Sequence, residues 1–286
     1  MIRLCAFSDE ADDGLSGQIA ALRRNDISLT ELRSVDGKNV SMISEKEAGE
    51  IYRKLSGEGI VVWSVGSPLG KCEINIPETV WREQVKRICA VANALRTDRI
   101  RAFSFFHAYG QREKVIEYLN IAGEIATGFC VTLYHENEKE VYGDTCERVK
   151  ELMQNLPKWK FIYDPANFIQ VGERAEDTLR LAPKCGYYHV KDVISKTGEM
   201  VPAGEGDGAI GELLSVIEKE TVLTVEPHLA VFGTYSQIDN SEMKLKYRFE
   251  SNAQAFDTAV NALKKLLAKC GWENVNGGYK RNGSGT

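Results

Sequence analysis

Eight short runs rich in β-branched and aromatic residues recur along this chain, each followed by a longer stretch of helical periodicity. The runs are residues 2–7, 27–32, 60–65, 100–106, 130–135, 160–163, 186–190 and 221–225. The amphipathic segments are 15–24, 45–55, 78–95, 113–126, 145–155, 175–181, 210–219 and 249–268. Strands this short that alternate with helices indicate parallel βαβ units, because parallel neighbours cannot be joined by a tight turn. Eight such units in 286 residues predict an α/β fold, a single closed (β/α)8 barrel. An open doubly wound sheet is the rival, but its GxGxxG fingerprint is missing from the first strand–helix junction, which reads SDEADDGLSG. The expected barrel domain spans 1–270, and the polar, glycine-rich end GWENVNGGYKRNGSGT, 271–286, is expected to be a mobile tail.

In such a barrel the C-terminal ends of the strands converge on one mouth, where chemistry is expected. The polar residues there are Glu31, His107, His135, Glu136, Glu138, Asp164, His189, Lys191, Asp192, Glu226 and His228. All four histidines of the chain are among them. Each residue alone has an ordinary structural explanation: an Asp before Pro, as in YDPANF, makes turns, and a single His at a strand end is often a hydrogen-bonded structural residue. Those explanations must also account for three acids and a histidine ending four consecutive strands.

Strands five to eight form one arc, so Glu136, Asp164, His189 and Glu226 are expected to point into one cavity. Three carboxylates in a small volume repel one another, and without a cation at least one takes up a proton. One divalent metal removes the difficulty. Oxygen ligands with one imidazole favour manganese or magnesium, and zinc, cobalt and iron are also compatible. The seven cysteines contain no CxxC pair and suggest neither a thiolate zinc site nor a disulfide framework. Hydrophobic content of 43% and charged content of 27% are those of a soluble globular protein. A net charge of −5 with scattered basic residues gives no footprint for nucleic acid. No apolar stretch is long enough for a bilayer, and the start MIRLCAFSDE lacks a signal-peptide pattern, so a cytoplasmic location is expected.

The segments YHENE, YDPANF, YHVKD, PAGEGDG and VEPHL, in this order at strand ends, resemble the sugar phosphate isomerase/epimerase superfamily of xylose-isomerase-like TIM barrels. The resemblance spans roughly residues 1 to 268. It implies that Glu136, Asp164, His189 and Glu226 hold the metal, with Glu138 as the rival to Glu136. It further implies that Glu136 and Glu226 are the catalytic acid/base pair, one removing the proton beside a carbonyl to give a metal-stabilised enediolate and the other returning it. The implied activity is that of an isomerase or epimerase of a sugar, sugar phosphate or polyol ketone. A dehydratase or lyase of the inosose dehydratase type, or a non-catalytic sugar-binding barrel, is the alternative. The expected partner is a small sugar or polyol, and the resemblance is compatible with a homodimer. Glu31, His107, His135, Asn167, Lys191, Asp192, Glu205 and His228 are expected to bind substrate. Family epimerases carry His where this chain has Asn167, and Arg in the loop where it has Lys191 and Lys196. The PAGEGDG loop is expected to form a mobile lip. Trp63, Phe106, Tyr109 and Phe168 are candidates for an apolar sugar-stacking wall.

Overall fold

The computed structural model describes residues 1–235 and 242–281. Strands β1 (Ile2–Ala6), β2 (Leu29–Leu32), β3 (Val61–Val65), β4 (Arg99–Ala102), β5 (Thr132–Glu136), β6 (Lys160–Tyr163), β7 (Tyr187–Val190) and β8 (Thr221–Val225) pair in sequential order, all parallel. β8 then closes on β1, with Ile2 opposite Thr221 and Ala6 opposite Val225. The result is a (β/α)8 barrel, and closure leaves no barrel strand with an unpaired edge.

Helices α1 (Leu15–Arg24), α2 (Glu45–Gly57), α3 (Glu78–Ala94), α4 (Arg112–Gly128) and α5 (Cys146–Asn155) cover the first five strands. After them come α6 (Pro165–Gln170), α7 (Ala175–Thr178), α8 (Ile210–Val216) and α9 (Asn252–Lys269). Several begin where a polar side chain can cap them. Ser44 and Glu47 form a reciprocal capping box on α2, and Thr145 and Ser251 cap α5 and α9. Each such cap is worth about 1 kcal/mol. Among the described residues no helix is long and apolar enough to cross a membrane.

Side-chain alternation along the strands sets the geometry of the mouth. Cys5, Leu29, Tyr134, Ile162, Tyr187 and Val222 form their own buried cluster, separate from the larger core between strands and helices. They plug the barrel interior. Two residues further along each strand, the same inward face presents Phe7, Glu31, Glu136, Asp164, His189 and Thr224, because successive strand side chains alternate between faces. The site therefore stands on an apolar floor.

Two elements differ from the sequence expectation. Residues 165–170, unassigned by periodicity, form α6, which starts on Pro165 with Asp164 as its cap. Residues 272–281, expected to be a tail, form a hairpin of β9 (Trp272–Val275) and β10 (Gly278–Arg281), with Tyr279 pairing Ile2 of β1. Asn276 and Gly277 turn it with φ of 53° and 78°, the left-handed pair that a two-residue hairpin loop needs and that Asn-Gly supplies. Trp272 and Tyr279 are buried there. Residues 282–286 of the expected tail lie outside the described residues.

Candidate metal centre

Glu136 is the last residue of β5, Asp164 follows β6, His189 lies in β7 and Glu226 follows β8. Each offers one ligand atom, and these atoms all lie within 4.8 Å of one another. Their exposures are 1%, 0%, 0% and 3%, so water does little to screen their repulsion. His189 Nδ1 lies 2.8 Å from Glu136 Oε1 and 3.4 Å from Glu226 Oε2. Glu138, the rival to Glu136, instead pairs with Lys71 at 2.9 Å beside the cavity.

The protonation pattern reflects this crowding. Burial opposes charge on His189, but the carboxylates of Glu136 and Glu31 win and hold its pKa well above the usual imidazole value. Burial also works against the Glu136 carboxylate, yet His189 and Arg101 bring it down to about 2. For Asp164 burial dominates over the attraction of Lys191 and raises it to about 6. Glu226 stays well below the carboxylate range, because Lys191 and His228 outweigh burial. In this arrangement a proton on His189 supplies the positive charge that the acids demand, and a divalent ion would supply it instead.

The residues fit such an ion. Glu136 Oε2 and Asp164 Oδ2 are buried without a hydrogen bond, their nearest cationic neighbours being Arg101 Nη1 at 3.2 Å and Lys191 Nζ at 3.1 Å. Buried carboxylate oxygens are normally hydrogen-bonded, so two that meet only an ion-pair partner keep lone pairs that a metal could use. Glu10, Glu226 and His228 form a second close trio. There the Arg33 guanidinium already lies 2.9 Å from Glu10 Oε1 and 3.1 Å from Glu226 Oε1, so a cation of the chain's own serves that trio.

A cavity of about 270 Å³ opens beside the four ligand candidates, with Arg101, Asn167, Lys191, Glu226 and His228 in its wall. Another cavity, of about 320 Å³, meets it at Lys71, and none of the four lines it. Of the expected substrate residues, three stand at the site. Asn167 donates through Nδ2 to Asn137 O at 2.8 Å, with Glu136 Oε1 3.4 Å away, and its Oδ1 has no partner. Lys191 stands in the cavity wall and bridges Asp164 and Glu226 at 3.1 and 3.4 Å. His228 sits in the wall with its backbone N–H donating to Glu10 Oε2 at 2.6 Å.

The other five lie elsewhere. His135 faces away from the four-residue cluster because its neighbour Glu136 faces into it; Nε2 meets Ser104 Oγ at 2.9 Å, and burial pulls the imidazole down to about 3. His107 is exposed beyond β4, and Glu205 is exposed and accepts from Tyr247 Oη at 2.6 Å. Glu31 is fully buried behind His189. Asp192 ties down the PAGEGDG loop: it accepts from the N–H groups of Gly204, Gly206 and Gly208 at 2.9, 3.0 and 2.9 Å. A Cβ on Gly206 would stand 2.4 Å from Asp192 Oδ1, so glycine serves close approach and the lip is anchored. The expected aromatic wall does not line the cavity. Phe168 is in the core against Tyr163, Trp63 packs under Arg99, and Tyr109 is exposed and hydrogen-bonded to Asp144. Tyr235, Met200 and Met243 take that place.

Two arginines that strand-end reading did not reveal complete the centre. Arg33 is buried among Asp9, Glu10 and Glu226, with its guanidinium over the rings of Phe7 and Phe232 at 4.4 and 4.7 Å. Arg101, inside β4, reaches Glu136 and lies 4.9 Å from the Phe7 ring centroid. The signal available was one basic residue directly after β2 and another inside β4, in a chain whose acids outnumber its cations.

A family profile describing xylose isomerase-like TIM barrels matches residues 20–266. The chain belongs to this family. Solved structures of the same barrel include L-ribulose 3-epimerase, with TM-score 0.72 and 17% identity over 94% of this chain and 96% of that one. A probable 3-DHS dehydratase from Bacillus anthracis gives 0.68 and 15% over 92% and 99%. The IOLI protein with a bound zinc atom gives 0.67 and 14% over 93% and 98%. At these identities the likeness is one of fold. No curated protein sequence shows significant similarity to the chain.

Proposed function

We propose that this member of the xylose isomerase-like family is a divalent-metal-dependent isomerase or epimerase of a sugar, sugar phosphate or polyol ketone. The observation that carries the reading is the meeting of Glu136, Asp164, His189 and Glu226 at one buried point beside an open cavity. These four would hold the ion, with manganese or magnesium favoured by the oxygen-rich donor set. Bound there, the ion would act as a Lewis acid toward the substrate carbonyl.

Glu136 and Glu226 are the acid/base pair of this reading. Both are ionised at neutral pH by their cationic neighbours, the state required of a group that accepts a proton. One takes the proton from the carbon beside the carbonyl while the electron pair moves onto oxygen; the other delivers a proton to the same or the adjacent carbon. Asn167 and His228 in the cavity wall would orient hydroxyl groups, and the Lys191 ammonium would face the developing negative charge. The related L-ribulose 3-epimerase supports a ketose as substrate.

Lys191 also favours a second reading. An ammonium 3.4 Å from Glu226 is placed to protonate a departing hydroxyl after the same first step, which is dehydratase chemistry, and the dehydratase among similar structures is consistent with it. A screen of ketoses, sugar phosphates and inososes with added manganese in deuterated water separates the two. Deuterium entering the substrate without elimination supports the isomerase; loss of water from the substrate overturns it in favour of the dehydratase. Glu226→Gln is expected to abolish turnover with the fold intact, and retained activity removes Glu226 from its acid/base role.

A further inference from the structure

We propose that Glu31 is a positioning residue for the metal centre: it fixes the His189 imidazole in the tautomer whose Nδ1 lone pair faces the ion. The proposal rests on the ion site described above. His189 Nδ1 faces Glu136 and Glu226, while Nε2 points the opposite way, to Glu31 Oε2 at 3.2 Å. A neutral imidazole carries one N–H and one lone pair, and the partner of one nitrogen decides which face can ligate. With an anionic acceptor at Nε2 the N–H sits there, and Nδ1 is left free to coordinate.

Glu31 is itself held for this task. Tyr187 Oη donates to its Oε1 at 2.9 Å, and Thr224 Oγ1 donates to its Oε2 at 3.1 Å. Tyr187 lies two residues before His189 on β7, on the same inward face, and Thr224 of β8 stands in register with His189. Ligand and supporting donors therefore belong to one strand pair, and Glu31 arrives from β2 across the interior. Its exposure is 0%, and it does not line the cavity. Its one hydrogen-bond contact with the four ligand candidates is through His189.

Manganese affinity measured by electron paramagnetic resonance tests the proposal. In Glu31→Gln the side-chain amide can donate to Nε2, moving the proton to Nδ1, and affinity should fall roughly 10–100-fold, the usual cost of losing such a partner. Tyr187→Phe removes one donor to Glu31 and keeps the carboxylate, so a roughly threefold to tenfold loss is expected. Nitrogen NMR of histidine-labelled, zinc-loaded protein reads the tautomer directly: a proton on Nε2 in the wild type and an increased share on Nδ1 in Glu31→Gln. A folded Glu31→Gln protein with wild-type manganese affinity and tautomer overturns the proposal. Should Glu31→Gln not fold, unchanged affinity and tautomer in Tyr187→Phe overturn it equally. Failure of the wild type to bind manganese would instead remove the ion site, a separate and distinguishable result.

Discussion

The two halves of the barrel mouth do opposite electrostatic work. β5 to β8 bring three carboxylates and an imidazole to one point, whereas the elements around β1 to β4 bring Arg33 and Arg101 up behind them, with Phe7 beside both guanidinium groups. The first half creates a demand for positive charge, and Lys191 at the end of β7 together with the two arginines meets part of it with side chains that cannot leave. The remainder matches a mobile cation. Lys191 and His228 hold Glu226 ionised, and His189 and Arg101 hold Glu136; Glu136 Oε2 and Asp164 Oδ2, which face Arg101 and Lys191 without a hydrogen bond among the described residues, mark where an exchangeable cation would engage.

Arg33→Met would test that division most severely. It leaves Asp9, Glu10 and Glu226 without their shared partner in the interior, and losing one member of a buried charge network costs about 3–5 kcal/mol. The metal-free protein should therefore melt well below wild type, and added manganese should recover part of the loss by engaging Glu226. A melting temperature unchanged by the substitution would show that the two halves are not electrostatically coupled.

His135 sharpens the contrast between neighbours on one strand. Its folded pKa is near 3, against roughly 6.5 in an unfolded chain. Between those values the unfolded state binds the extra proton, so stability present above about pH 6.5 is lost as the pH falls toward 3, at up to about 1.4 kcal/mol per pH unit. Chemical denaturation from pH 7 to 5 should show a shallower decline in His135→Gln than in wild type. Equal slopes would mean that this imidazole takes up its proton at the same pH in the folded and unfolded chain.

The smallest effect is expected from Glu205→Gln. Its carboxylate meets Tyr247 at the surface, outside the charge system of the mouth, so manganese affinity and melting temperature should match wild type. A clear loss of manganese affinity would extend the electrostatic unit beyond the two halves.

Much of the candidate ligand set was legible because β-strands repeat every two residues. Once strand ends are located, Glu136, Asp164, His189 and Glu226 fall on the inward face at the ends of successive strands. The same rule, applied one residue away, separates His135 from Glu136; the strand-end list joined them because it recorded position and not face. Glu31 and Asp192 were found as polar residues near the mouth, but their work depends on what stands opposite them. For Glu31 that is Tyr187, 156 residues away; for Asp192 it is the backbone of a loop more than ten residues downstream.

The hairpin at 272–281 shows the same limit. Asn276-Gly277 encodes its turn, yet only the presence of β1 beside it makes Tyr279 a buried strand residue.

The order of the eight barrel strands and the helices that cover them, and hence the barrel and the clustering of polar residues at its strand ends, were determined by the sequence alone, because local periodicity and short-range connection rules fix them. Which charges cancel, which oxygens are left without partners and which nitrogen of His189 faces the centre were decided by the closed barrel. Those properties depend on distances between strands far apart in the chain, and in a buried site a few tenths of a nanometre separate a satisfied charge from one that needs an ion.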